Sequence, residues 1–191
     1  MAKITYPLLA VLALAAGPSL AVEYNQVLSD KSQVAFVSKQ MGVAVDGRFR
    51  KFAAQVSFDP AKPEAAKAKI DIELGSVDAG SQEANDEVKD KNWFNVRQFP
   101  TASFVSSSVK PLGGNRYELA GKLTIKGKSQ DMTAPFTFRQ EGNGGLFEGS
   151  FTLKRLDFAV GAGPWSDTDT VANEVQVKFK FAVAAAAAGK Q

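Results

Sequence analysis

Few side chains in this sequence are grouped in a way that could do chemistry. Asp86, Glu87 and Asp90 lie close enough to work as paired carboxylates, one giving a proton and one taking it. They fall in an acidic run without apolar alternation, and such a run is usually a solvated face. Arg155-Leu156-Asp157 places opposite charges two residues apart. In an extended segment both project from one face, as a structural ion pair at a barrel end or as a polar contact for a ligand head group at its mouth. The structural reading is the better supported. Gly121-Lys122-Leu123-Thr124-Ile125-Lys126-Gly127-Lys128-Ser129 has the flavour of a phosphate-binding loop, but five residues separate its glycines where four are required. It also reads as strand and turn, with no helix behind it to face a phosphate. Asp167-Thr168-Asp169 lacks the glycine and the distal glutamate of a calcium loop.

Composition closes further routes. The 191 residues contain no Cys and no His. A disulfide framework is impossible, a Ser-His-Asp or Cys-His triad cannot be built, and zinc, copper and haem lose their usual protein ligands. No catalytic or metal-ligating residue is assigned, and the chain is read as a non-enzyme. A net charge of +3, from 23 basic and 20 acidic side chains, is too even to indicate a nucleic acid partner. The aromatic content is unusual: 14 Phe against 2 Trp and 3 Tyr. So many apolar rings can line a substantial interior.

The elements that would position these residues are strands. Period-two alternation places Val34, Phe36 and Ser38 on one face, then Ala54, Val56 and Phe58, and Ala68, Ile70, Ile72 and Leu74. It continues in Ala102, Phe104, Ser106 and Ser108, in Tyr117, Leu119, Leu123 and Ile125, and in Met132, Ala134, Phe136 and Phe138. Phe147, Phe151 and Leu153 precede a last run of Val175, Val177, Phe179 and Phe181. Gly113-Gly114-Asn115, Gly127-Lys128-Ser129 and Gly142 to Gly145 punctuate the runs as turns. The pattern predicts about eight antiparallel strands in an all-β barrel or sandwich. An eight-stranded barrel has room for one small ligand, whereas a sandwich fills its interior with side chains. Ser38, Gln40, Ser106 and Ser108 interrupt apolar faces. An unpaired buried polar group costs about 1–3 kcal/mol, so these four are better placed in a cavity than in a packed core.

Residues 81 to 93 break the alternation and predict a short helix capped by Ser81. Gly161 to Asp167 predicts a long irregular loop, a candidate lid carrying Trp165. At the N-terminus, Lys3, the apolar run Leu8 to Ala16, and Ser19-Leu20-Ala21 predict a signal peptide over 1–21, cleaved after Ala21. That run is too short to cross a bilayer, which needs about 20 apolar residues. The domain is expected over 22–183, followed by a flexible Ala-rich tail over 184–191.

Several segments, in this order and spacing, resemble one family. They are Ser32 to Phe36, Gly47-Arg48-Phe49 with Phe52, Val56 to Pro60, Ser76 to Gly80, Trp93 to Val96 with Phe99-Pro100, Phe104, Gly121 to Gly127, and Arg155 to Phe158. Together they are similar to the YceI-like, polyisoprenoid-binding proteins of the bacterial periplasm, over essentially all of residues 22 to 183. The resemblance implies a lipocalin-like barrel whose cavity holds a polyprenyl or quinone tail, and periplasmic residence. Some members are linked with a membrane cytochrome b561, and the Gly-Pro-Trp loop and Ser38 to Gln40 look like that subgroup. Many members carry His at the positions of Lys31 and Gln40, so no metal or acid–base role for those histidines transfers.

The expected function is therefore a periplasmic carrier for an isoprenoid lipid, with no cofactor beyond that lipid or a quinone. Phe36, Phe58, Ile72, Phe104, Leu123, Phe136, Phe138, Phe151 and Phe179 are expected to line the interior, about half of them as plain core. Ser38, Gln40, Ser106 and Ser108 supply polar contacts, with Trp93, Phe94 and Trp165 at the mouth. The alternative is a filled barrel that docks a membrane redox partner such as cytochrome b561. A homodimer stays open, because nothing in the sequence sets the oligomeric state.

Overall fold

The computed structural model describes residues 22–186. The expected signal peptide and the last five residues lie outside them. Eleven strand segments are present: β1 (Tyr24–Val27), β2 (Gln33–Gln40), β3 (Val43–Phe49), β4 (Phe52–Ser57), β5 (Lys67–Glu73), β6 (Val77–Asp78), β7 (Thr101–Gly113), β8 (Arg116–Ile125), β9 (Lys128–Glu141), β10 (Gly144–Lys154) and β11 (Glu174–Ala185). All pairings are antiparallel, in the order β4-β5-β7-β8-β9-β10-β11-β2-β3-β6, with β1 also on β11. Eleven segments replace the eight strands expected, and the reason is local. Three long staves are each broken once: β1 and β2 by the 3-10 turn Ser29–Lys31, β3 and β4 by the corner at Arg50-Lys51, β5 and β6 by the 3-10 turn Leu74–Ser76.

The two ends of this path belong to the same pair of staves, so the sheet curls into a barrel-like shell. Backbone bonds bridge the corner, from Arg50 N–H to the Ser76 carbonyl (3.1 Å) and from Glu73 N–H to the Lys51 carbonyl (3.1 Å). Below the corner, Tyr24 and Phe58 exchange two backbone bonds (2.8 and 3.1 Å), which joins β1 to the end of β4. Such curling removes the exposed edges that an open sheet would offer for aggregation.

Among the described residues, one α-helix interrupts the β order. α1 (Gln82–Lys89) begins as expected at Ser81, whose hydroxyl accepts from the Ala84 N–H at 3.1 Å. The stretch that resembled a phosphate loop is β8, a two-residue turn and β9. Lys126 and Gly127 both have positive φ (51° and 74°), as a tight hairpin connection requires. At the C-terminal end, β11 runs to Ala185, and Ala184 and Ala185 pair with β1 and β10. The tail expected from Ala184 thus begins in ordered strand, because those alanines complete the ladder.

Candidate functional site

Four inward rings determine how much of the interior is empty. Phe36 lies over Gly47 on the neighbouring strand, Phe104 over Gly121, Phe138 over Gly145, and Phe179 over Gly149. A Cβ on any of these glycines would fall inside the facing ring. Each ring therefore lies against the wall instead of projecting across the lumen. Phe is abundant here, yet the barrel is not filled.

The lower third is nevertheless solid. Tyr24, Phe58, Tyr117, Phe136, Phe138 and Phe147 form one aromatic cluster, with centroid separations such as 4.8 Å for Phe58–Phe138 and 5.2 Å for stacked Tyr117–Phe136. Above it lies a chamber of about 110 Å³ lined by apolar atoms only, then a larger one of about 480 Å³. The two share Val34, Ile72, Leu123, Phe151 and Val177, so they are successive parts of one elongated lumen. The larger volume is in the usual range for a small-molecule site, about 300–1,000 Å³.

Most expected site residues line this lumen. Phe36, Ser38, Gln40, Ile72, Trp93, Phe94, Leu123, Phe151 and Trp165 border the upper chamber. Phe58, Ile72, Phe104, Leu123, Phe136, Phe151 and Phe179 border the lower one. Three borders neither chamber. Phe138 is packed in the aromatic plug, with 4% of its surface exposed. Ser106 instead accepts a hydrogen bond from Ala68 N–H at 2.8 Å, at the start of β5. Ser108 is displaced by an irregularity in the β7–β8 register between Ser106 and Ser108. Past that bulge Val109 takes the buried position, at 4% exposure, so Ser108 leaves the apolar face. Strict alternation does not reveal a one-residue insertion.

The roof of the upper chamber is built around Arg155. It is the one buried charged side chain among the described residues, 2% exposed. The expected ion pair with Asp157 does not form, because Arg155–Phe158 is a 3-10 turn and not a strand. The guanidinium instead donates all five of its N–H groups to carbonyls. Nε reaches Ala172 (3.1 Å), Nη1 reaches Val160 (3.0 Å) and Gly161 (2.6 Å), and Nη2 reaches Trp165 (2.7 Å) and Val171 (2.7 Å). Burial holds its pKa below the ordinary arginine value, since desolvation disfavours the cation. The loop expected as a lid is thus pinned and contains its own 3-10 turn, Gly163–Trp165.

Two neighbours extend the roof. Arg155 stands 5.5 Å from the centre of the Trp93 ring, which lies 5.6 Å from that of Trp165. Trp93 Nε1 donates to Glu87 on α1 at 3.2 Å. The Lys126 ammonium, at the β8–β9 turn, donates to the carbonyls of Lys91 and Ala159, both at 2.8 Å. Three separate connections are therefore cross-tied over one end of the barrel.

Sequence reasoning missed Glu83 and, as a lining residue, Glu87. Both border the upper chamber beside Ala84 and Val88. Their spacing marks one helical face, a signal present in the sequence. What that face looks onto was not. Asp86, by contrast, is exposed and held by Gln82 and Lys89, so the carboxylates first considered as an acid–base set do not converge. Among the described residues, no group of three or more Asp and Glu is placed to hold a metal ion.

A lumen walled by aliphatic and aromatic side chains and roofed by polar ties defines a hollow antiparallel β-barrel. The chain belongs to the YceI-like domain family, whose model matches residues 26–183. It is 34% identical to a protein of Azotobacter vinelandii from the group called UPF0312, over 77% of this chain and 81% of that protein. Among solved structures it is similar to Burkholderia cenocepacia BcnA, with 48% identity, a TM-score of 0.81, and coverage of 82% of this chain and 99% of that one. It also shares its fold with a polyisoprenoid-binding domain from Saccharophagus degradans, implicated in plant cell wall breakdown. That match has 16% identity and a TM-score of 0.66, and covers 87% of this chain and 99% of that domain.

Proposed function

We propose that this chain is a non-enzymatic binding protein that shelters the tail of an isoprenoid lipid, and that it does so as a carrier in the periplasm after export. The observation that carries this reading is the hollow, elongated, apolar lumen above a solid aromatic floor. Its shape suits a long flexible hydrocarbon. The name of the Saccharophagus degradans domain, which shares the fold, points to the same ligand class. Binding would be driven by desolvation, at about 0.8 kcal/mol per buried CH₂, offset by the cost of ordering a flexible chain. The alternative, a filled barrel that only docks a membrane partner, begins from a packed interior, and the upper chamber counts against it.

Native mass spectrometry of the purified protein, before and after addition of geranylgeraniol, tests the reading. An adduct of an isoprenoid mass, retained from the cell or gained on addition, is expected. A protein that neither carries nor takes up such a lipid would end the carrier proposal.

A further inference from the structure

The upper chamber opens where its lining residues Gln40 and Glu83 are exposed, and on the carrier reading a ligand head group would rest at that opening. The charges at that opening are one-sided. Glu83 and the half-buried Glu87, one helical turn apart on α1, both border the chamber. Arg155 is the one basic residue among the lining groups of this chamber, and all five of its N–H donors are already committed to carbonyls. A guanidinium so engaged has no fork left to offer a phosphate. Lys126, close by in the roof, is likewise engaged with two carbonyls. At the far end, Lys67 borders a chamber lined by apolar atoms alone, so it contributes only its stem.

We infer that the site discriminates by head-group charge, taking an isoprenoid with a neutral head, such as an alcohol or quinone, in preference to its phosphorylated counterpart. The inference rests on the carrier reading above and narrows its ligand class. A neutral head can use what the mouth provides. The Glu83 and Glu87 carboxylates can accept a hydrogen bond from a hydroxyl, and the Gln40 amide can donate one to a carbonyl oxygen. A phosphate would face two carboxylates with no free cation lining the chamber, and like charges brought together oppose binding.

Trp93 and Trp165 are the only two tryptophans in the chain, and both line the chamber, so intrinsic fluorescence reports its occupancy directly. The experiment titrates the protein with geranylgeraniol and with geranylgeranyl monophosphate, which share one tail. The alcohol is expected to bind at least about tenfold more tightly. The gap should shrink several-fold in E83Q/E87Q, chiefly through tighter phosphate binding. It should also shrink in wild-type protein at high salt, which screens exposed charges. The salt arm needs no substitution, so a poorly folded variant leaves the test intact. Equal or tighter binding of the phosphate would overturn the inference and leave the carrier reading standing. A gap unchanged both by salt and by folded E83Q/E87Q would overturn it too, because the carboxylates would then not be its source. If folded protein takes up neither compound, the carrier reading itself falls and the inference with it.

Discussion

Arg155 shows how one residue type can promise one chemistry and perform another. A charged residue two positions from an aspartate invites an ion pair, but the 3-10 turn separates them and the guanidinium gathers five carbonyls instead. Removing it leaves those carbonyls without their donor in a buried place. Arg155→Met should lower stability in urea unfolding by about 3 kcal/mol or more. Arg155→Lys should recover only part, since an ammonium supplies three donors without the planar fork. Asp78 makes a second prediction at this scale. Its carboxylate accepts from Arg50 (2.9 Å) and Arg48 (3.2 Å), tying β6 to the β3–β4 corner. The Arg50 hydrogen bond is the main reason that its pKa falls below the ordinary 3.8. A depressed folded pKa means stability that is present above the ordinary value and lost as pH falls through the folded one. Asp78→Asn should therefore show a small Tm deficit at neutral pH. That deficit should shrink as pH falls below 3.8 and vanish only below the lowered folded value, where the wild-type carboxyl is protonated as well.

At the scale of elements, the paired glycines and phenylalanines decide the bore of the barrel. The spacing of Phe36, Phe104 and Phe179 was legible as an inward face, yet alternation says nothing about which residue lies opposite. Strand register does, and it brings Phe179 directly against Gly149 and Phe36 against Gly47. A methyl at Gly149 would meet the Phe179 ring and also the Pro135 carbonyl oxygen at 2.6 Å. Gly149→Ala should cost about 1–3 kcal/mol through overpacking, read by thermal unfolding. Gly47→Ala meets only the Phe36 ring, which can swing into the upper chamber. The expected result there is weaker uptake of geranylgeraniol in the tryptophan titration, with a smaller loss of stability. The same distinction between pattern and register explains Ser108. One inserted residue in β7 reverses which side chains face inward, and no composition signal marks it. The short helix was easier to read, because its cap and its break in alternation are both local.

For the whole molecule, the lumen has a finite length, set below by the aromatic floor and above by the Arg155 roof. Affinity should rise with each isoprene unit added to a neutral prenol, then level off once both chambers are filled. A titration series of increasing chain length checks this, and a steady rise without a plateau would contradict a closed floor. The residues themselves determined a great deal: an all-β domain of antiparallel strands, a helix starting at Ser81, and an interior rich in phenylalanine. These follow from period-two patterning, capping and composition, which act over a few neighbouring residues. Missing Cys and His closed off whole classes of chemistry for the same local reason. The tertiary structure alone decided that the barrel is hollow above and solid below, that three staves are broken, and that Glu83 and Glu87 look into the lumen. Each of these depends on contacts between segments far apart in the chain. A register shift, a ring over a glycine or a helix face turned toward a cavity is a relation between two strands or loops, and no single segment contains it.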